Sequence, residues 1–252
     1  MDFHINNHTI AVNVPTWAAL EARVAERLAQ RKGFALATIN LDHLVKLKNS
    51  TTFCEAYAAQ DFVVADGNPI VWMSRIAGRP VSLVPGSEAI LPLARIAARQ
   101  GVGLGLFGST QPVLQAAKAY LEREVRDLKV VSCIAPPMGF DPHSEDAKAL
   151  LQEMQDDGVG LCFVALGAPK QEMLAAQGRD TVPSMGFVSI GAGLDFFAGK
   201  QKRAPVWVRR IAMEWLWRML GNPRRLVGRY MQCFAILPGQ MLRAVKLRLR
   251  RA

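Results

Sequence analysis

The 252-residue sequence lacks an apolar run long enough to cross a bilayer, although half of its residues are hydrophobic. A membrane-spanning helix needs about 18–20 consecutive apolar residues. The first residues, Met1 to His4, also lack the basic and apolar regions of a signal peptide. We therefore expect a cytoplasmic chain with enough apolar residues to build one large α/β core.

Metal-binding and nucleophile motifs are also missing. The four cysteines and four histidines are widely separated, with no Cys-x-x-Cys pair and no His-x-x-x-His or His-Glu-x-x-His spacing. There is no Asp-x-Asp to hold a metal against a nucleotide diphosphate, no Gly-x-Ser-x-Gly elbow and no phosphate-binding P-loop. These absences predict free thiols, no metal and no cofactor.

Acidic residues are scarce only in the last fifth of the chain. Residues 203–252 contain twelve Lys or Arg and one acid, Glu214, whereas residues 1–202 contain 19 basic and 20 acidic side chains. This partition predicts a catalytic domain over residues 1–202 and a basic helical appendage over residues 203–252. A segment this basic is expected to bind a polyanion, which could be an anionic membrane, a nucleic acid or a diphosphate.

Alternating apolar residues at Phe3–Ile5 and Thr9–Val14 predict an N-terminal β-hairpin, and Trp17–Arg31 has helical periodicity. Six short, unbroken apolar runs follow, each separated from the next by a helical pattern. They are Phe34–Ile39, Phe62–Ala65, Gly103–Phe107, Val130–Ala135, Leu161–Leu166 and Gly186–Ile190. Such runs are typical of buried parallel strands, so we predict an α/β fold with a Rossmann-like, mostly parallel sheet flanked by helices.

Small and polar residues collect directly after these runs. In open α/β sheets, ligands bind at the edge formed by the carboxyl ends of the strands. Asp66 is the only carboxylate at a strand end among the first five runs, and a hydroxyl that attacks an electrophile needs a base. Asp66 is therefore the candidate base, although an aspartate before Gly67 can also be a turn former. Asp195 is the second candidate, and we expect it to be structural.

Two glycine-containing motifs could each mark a ligand-binding turn, and the first is the less specific. Gly103-Leu-Gly105-Leu-Phe-Gly108 matches a dinucleotide fingerprint, but its first two glycines lie inside the run, and Ala135 replaces the acid expected at the end of the next strand. An oxidoreductase is thus kept only as an alternative. The turn after Gly108 could offer backbone amides to a diphosphate, or it could be an ordinary helix start.

The segment Gly167-Ala-Pro169-Lys170-Gln171-Glu172 is more specific. A glycine allows close approach of a ligand to the backbone, a proline stiffens the turn, and a cation and an amide then follow at the mouth. The alternative is a plain helix start with Glu172 in its favoured first turn.

The appendage has an apolar stripe at four-residue spacing over Trp207–Leu220, and Asn222-Pro223 predicts the start of a second helix. Tryptophan and arginine on amphipathic helices suit a membrane interface. A helical cap on the core is the alternative. Nucleic-acid binding is a third hypothesis, which the tryptophan spacing disfavours, so we expect no nucleic acid as partner.

A series of short motifs lies in a fixed order along nearly the whole chain. In order, they are Thr38-Ile-Asn40, Asp66-Gly67, Pro85-Gly86, Pro136-Pro137, Gly167–Glu172, Gly191-Ala-Gly193, Asp195-Phe196, Arg203-Ala-Pro205, Glu214-Trp215, Arg218 and Pro223-Arg224…Arg229-Tyr230. Together they resemble the motifs of the WecG/TagA/CpsF glycosyltransferases.

The resemblance implies an inverting, metal-independent transfer from a UDP-sugar to a monosaccharide on polyprenyl diphosphate, in bacterial surface or exopolysaccharide synthesis. It implies that Asp66 is the base and that Thr38, Asn40 and Gln171 are polar pocket residues. It also implies that the appendage closes over the site at the inner face of the membrane, with its arginines towards the diphosphates. The sequence leaves open whether the protein forms a homo-oligomer. The other residues expected at the site are Gly108, Gly167, Pro169, Lys170, Glu172, Gly191, Gly193, Asp195, Arg203, Arg218, Arg224 and Arg229.

One stretch departs from the family pattern. Where the family often has Arg-Val-x-Gly-x-Asp, this chain has Leu83-Val-Pro-Gly-Ser-Glu88. Members transfer N-acetylmannosamine, its uronic acid or glucose. The missing arginine leaves the identity of the donated sugar open among these three. We expect a neutral hexose such as glucose, as in xanthan-type exopolysaccharide assembly.

Overall fold

The computed structural model of the chain describes residues 1–197, 199, 204, 205, 207, 208 and 211–249, without the side chain of Arg225. An antiparallel hairpin opens the chain, formed by β1 (Asp2–Ile5) and β2 (His8–Ala11). Asn6 and Asn7 join the strands with φ of 47° and 64°, the left-handed conformation of a tight hairpin turn. The predicted hairpin is confirmed, although its second strand ends at Ala11 rather than Val14.

A six-stranded parallel sheet forms the centre of the molecule, in the order β4-β3-β8-β7-β5-β6. Its strands are β3 (Phe34–Ile39), β4 (Phe62–Ala65), β5 (Gly103–Gly108), β6 (Val130–Ile134), β7 (Val159–Ala165) and β8 (Gly186–Ser189). Every residue of β3 is buried, as expected for a strand covered on both faces. All six predicted strands and the predicted fold class are confirmed.

Helices cover both faces of the sheet. They are α1 (Trp17–Ala29), α2 (Leu41–Lys48), α3 (Thr51–Ala58), α4 (Asn68–Ile76), α5 (Gly86–Arg99), α6 (Gln111–Glu124), α7 (Glu145–Asp156), α8 (Lys170–Thr181), α9 (Gly193–Phe197), α10 (Glu214–Gly221) and α11 (Pro223–Leu249). Helices α1, α5 and α6 share one apolar core with the sheet, while α7 and α8 share another on the opposite face. A third core joins the hairpin, α2, α3 and α4 to the end of β3 and β4.

The glycines of β5 have packing roles. A Cβ on Gly103 would lie 2.5 Å from the carbonyl oxygen of Gly158, and one on Gly105 would lie 2.4 Å from Cε of Met154. Gly108 has φ of +106°, and its Cβ would meet the backbone of Ala165 at 2.6 Å. Close packing therefore accounts for all three glycines of the apparent dinucleotide fingerprint.

The appendage differs from the single helix predicted over Trp207–Leu220. Ile211 and Ala212 form a turn, Ala212 has φ of 60°, and α10 begins only at Glu214. A left-handed residue cannot continue a right-handed helix, so the predicted stripe is divided at this turn. The second helix starts at Pro223 as predicted and runs through Pro238 to Leu249. The expected domain boundary at residue 202 lies outside the described residues and stays a prediction.

Helix α11 has two apolar stripes. The inner stripe includes Cys233, Gln240 and Ala244, which are buried where α11 packs on α2 and α4. The outer stripe is exposed and consists of Val227, Met231, Phe234, Leu242, Val245 and Leu249. No described helix is long and apolar enough to cross a membrane.

Candidate active site

Four neighbouring strands bring the predicted polar groups to one edge of the sheet. In the order β4-β3-β8-β7, their ends lead into Asp66, Asn40, Gly191 and Gly167. Because neighbouring strands lie about 4.8 Å apart, residues distant in sequence become neighbours here. The structure thus gathers on one edge the strand-end groups that the sequence pointed to separately.

Asp66 directly follows β4, the outermost strand on this side of the sheet, and its amide donates to the carbonyl of Ile39 on the neighbouring strand at 2.8 Å. Burial raises the pKa of its carboxyl from 3.8 to about 7. The positive charge of Arg218 and a hydrogen bond from the Asn40 side chain lower this pKa. The negative charges of Glu214 and Glu88 raise it further. A carboxyl with this pKa can accept or release a proton near neutral pH.

Asn40 has its amide orientation fixed by a helix cap. Its Oδ1 accepts from the backbone N–H of His43 at 3.0 Å at the start of α2. Its Nδ2 is therefore the atom that can donate to Asp66. Thr38 is buried one residue inside the end of β3, and its Cγ2 lies 3.4 Å from the position that a Cβ of Gly86 would take. The first turn of α5 consequently packs onto β3 beside the candidate base.

Gln171 and Glu172 form a buried polar pair behind the site. Nε2 of Gln171 donates to Oε1 of Glu172 at 2.8 Å, and Oε1 of Gln171 accepts from the N–H of Gly191 at 3.0 Å. Burial raises the pKa of the Glu172 carboxyl to about 7, and the bond from Gln171 opposes this. These contacts join the start of α8 to the turn after β8, where Gly191 has φ of 56°.

Other predicted site residues have partners that define different roles. Nζ of Lys170 donates to the carbonyl oxygen of Phe140 at 2.6 Å, so this cation is held by the loop after β6. Pro169 is the N-cap residue of α8, and Gly167 has φ of 75° with open space around its Cα. A Cβ on Gly193 would lie 2.7 Å from Cδ1 of Ile90, so a larger residue there would have to displace the Ile90 side chain.

Ser109 and Asp195 meet farther along the same edge, where Oγ of Ser109 donates to Oδ1 of Asp195 at 3.4 Å. Ser109 has φ of 55°, directly after Gly108 at the end of β5. This contact links the turn that precedes α6 to α9, beside the turn that follows β8.

The appendage reaches this edge through α10. Arg218 and Glu214 both lie close enough to Asp66 to shift the pKa of its carboxyl. Nε of Arg229 instead pairs with Oδ1 of Asp42 at 3.0 Å, and Arg224 is exposed at the start of α11. Arg203, the remaining predicted arginine, lies outside the described residues.

Sequence reasoning missed several charged neighbours of the site. Glu88 acts on Asp66 from the first turn of α5, and Glu214 acts from α10. Asp42 and Lys46 form an i,i+4 ion pair at 3.0 Å on α2. An acid followed four residues later by a base in a predicted helix indicates such an ion pair, so the sequence already contained this signal. Among the residues that the structure describes, no group of three His, Cys, Asp or Glu could hold a metal.

Comparison with known proteins finds similarity both to a family and to individual proteins. The family model described as "Glycosyl transferase WecG/TagA/CpsF family" matches residues 5–252. The chain is also 25% identical over 198 residues to the N-acetylglucosaminyldiphosphoundecaprenol N-acetyl-beta-D-mannosaminyltransferase of Bacillus subtilis (strain 168). That alignment covers 78% of this chain and 75% of the Bacillus protein.

The raised pKa of Asp66 predicts a pH-dependent effect of Asp66→Asn on stability. Since the folded pKa is about 7 against an ordinary 3.8, the carboxyl favours the folded state fully below about pH 4. This contribution is lost as the pH rises through 7. We therefore expect the Asn variant to exceed the wild type in free energy of unfolding by about 1–3 kcal/mol at pH 8, with the difference closing towards pH 4.

Urea unfolding at several pH values measures this difference. Asp157→Asn, on an exposed residue at the end of α7, is the matched control and should change little across the range. An Asp66→Asn variant less stable than the wild type at pH 8 would contradict an environment that disfavours the charged carboxylate.

Proposed function

Since the chain belongs to the WecG/TagA/CpsF family of glycosyl transferases, we propose that it moves a hexosyl residue from a UDP-sugar to a monosaccharide on polyprenyl diphosphate. The name of the Bacillus relative describes transfer of N-acetylmannosamine to a sugar on diphosphoundecaprenol, which supports this class of acceptor. The observation that carries the proposal is Asp66, a partly buried carboxyl with a pKa of about 7 at the sheet edge.

The proposed reaction is a single displacement with inversion. Asp66 accepts the proton of the acceptor hydroxyl while that oxygen forms a bond to the anomeric carbon of the donor. The bond between the anomeric carbon and the UDP oxygen breaks, and UDP leaves with the electron pair. Backbone N–H groups at the helix starts along this edge, together with Arg218, are suited to stabilise the charge on the leaving diphosphate.

The donor sugar is proposed to be neutral. Leu83 stands where the family often has arginine, and it pairs with Ala65 in an isolated parallel bridge directly before Asp66. An apolar side chain at this point offers no charge to the carboxylate of a uronic acid. Glucose and N-acetylmannosamine remain the two donor types in the proposal.

We also propose that the outer stripe of α11 rests on an anionic membrane, where a polyprenyl-linked acceptor resides. Met231, Leu242 and Leu249 are 64%, 65% and 68% exposed. Arg243, Lys246 and Arg248 are exposed on the same helix. An exposed apolar stripe flanked by basic residues is typical of helices that lie in the lipid interface.

Transfer assays with a panel of UDP-sugars test the reaction. With a synthetic lipid-diphosphate monosaccharide as acceptor, we expect one neutral UDP-hexose to give a disaccharide product of inverted anomeric configuration. The same assay in EDTA should retain its rate, because the leaving group is proposed to be stabilised by N–H groups and arginine. No product from any UDP-sugar would refute the proposal, and loss of activity in EDTA restored by magnesium or manganese would refute the metal-independent form.

Asp66→Asn should lower turnover by about 10²–10⁴-fold, because it removes the general base. In the wild type, kcat/KM should rise with pH up to about 7 and then level off, since only the ionised carboxylate accepts a proton. Initial rates across pH 5–9 measure both effects. Near-normal turnover in the variant, with the same pH profile, would assign Asp66 to turn structure.

Replacing the outer stripe by Met231→Gln, Leu242→Gln and Leu249→Gln should weaken binding to anionic liposomes. The wild type should bind less at high salt, since exposed charges are screened over about 8–10 Å at ordinary ionic strength, but should keep an apolar component. Liposome flotation measures both, and Met138→Gln on a fully exposed loop residue is the matched control. A triple variant that floats like the wild type would mean that lipid does not contact the outer stripe.

A further inference from the structure

The carboxylate of Asp42 is buried between two cations from different parts of the chain. Its Oδ2 lies 3.0 Å from Nζ of Lys46 on the same helix, and its Oδ1 lies 3.0 Å from Nε of Arg229 on α11. The Asp42 side chain is only 10% exposed. A buried carboxylate needs such partners because it has lost its water, and removing one partner leaves a poorly compensated charge.

Lys46 extends this contact to the loop that precedes α8. Its Nζ also donates to the carbonyl oxygen of Ala168 at 3.1 Å. Ala168 belongs to the Gly167–Glu172 segment, three residues before Gln171. The ion pairs therefore connect α11, α2 and one loop of the candidate active site.

The inner stripe of α11 packs through the buried residues Cys233, Gln240 and Ala244 and through partly buried apolar residues, which are Ile236, Leu237, Met241 and Leu247. Apolar packing of this kind is non-directional. An ion pair instead has one favourable geometry, so the pair of Asp42 and Arg229 adds a constraint on the position of the helix. Setting the register of a helix is the best-attested role of buried polar pairs.

The position of α11 in turn decides where α10 lies. The ring of Trp215 on α10 packs edge-on against the rings of Tyr230 and Phe234 on α11. The ring centroids are 5.7 Å and 5.1 Å apart, respectively. Trp215 lies between Glu214 and Arg218, the two charged residues that act on Asp66. A displaced α11 would therefore carry both charges away from the candidate base.

We propose that Asp42 is a positioning residue for the transfer reaction: by pairing with Arg229 it fixes where α11 docks, and so holds Arg218 and Glu214 against Asp66. Arg229 is then a docking residue rather than a ligand of the substrate diphosphate. The effect on catalysis rests on the proposed function, whereas the docking itself does not.

A double-mutant cycle with Asp42→Asn and Arg229→Gln tests the pair in the full-length chain. Hydrogen exchange of residues 214–249 should speed up in each single variant, while the amides of β3 stay protected and show that the sheet is folded. Transfer should lose about 10- to 100-fold in kcat with a smaller change in the KM of the donor, because displaced groups act on the reacting centre. The double variant should be no worse than the poorer single variant.

Two further variants sharpen the cycle. Arg229→Lys keeps the charge and should recover part of the protection and of kcat. Arg243→Gln removes the same charge from an exposed position on α11 and should leave hydrogen exchange unchanged. Additive effects of the two substitutions would overturn the proposal. It would also be overturned if Arg229→Gln lost activity with normal hydrogen exchange while Asp42→Asn behaved like the wild type, because Arg229 would then contact the substrate instead. A wild type without transferase activity would refute the proposed function, and the exchange cycle would still decide the docking role.

Discussion

Strands that pair in parallel end at the same edge of a sheet, and the whole candidate site depends on this constraint. Since β4, β3, β8 and β7 are neighbours, their ends place Asp66, Asn40, Gly191 and Gly167 side by side. The helices that follow begin at the same edge, and the N–H groups of a first turn point out of the helix towards that edge. The sheet thus builds an edge that combines polar side chains with backbone donors suited to a diphosphate.

Burial raises the pKa of two carboxyls at this edge, although their surroundings differ. Asp66 and Glu172 both have a pKa raised to about 7, chiefly by loss of water. Asp66 is only partly buried, so a substrate can reach it, whereas Glu172 is fully buried and bonded to Gln171. A similar rise in pKa therefore does not imply a similar role. Access to substrate makes Asp66 the candidate base, whereas the buried Glu172 is placed to orient Gln171.

The C-terminal helices connect the sheet edge to the exterior of the molecule. The inner stripe of α11 packs on α2 and α4, while the outer stripe stays exposed beside basic residues. Through Trp215, the same helix supports α10 and the charges that face Asp66. One helix thus exposes an apolar stripe and also carries part of the environment of the candidate base, which fits the proposed transfer to a lipid-linked acceptor.

The sequence by itself determined the hairpin, the six strands and the start of α11 at Pro223, because alternation, short apolar runs and a proline after asparagine act over a few residues. It also indicated Asp66, since a carboxylate directly after a buried strand must lie at the sheet edge. Only the tertiary structure decided the strand order, the turn at Ala212, the inward position of Glu172 and the pairing of Asp42 with Arg229. Each of these depends on which distant surfaces pack together. A local sequence pattern does not show which distant segment will bury a charged side chain or pair with it.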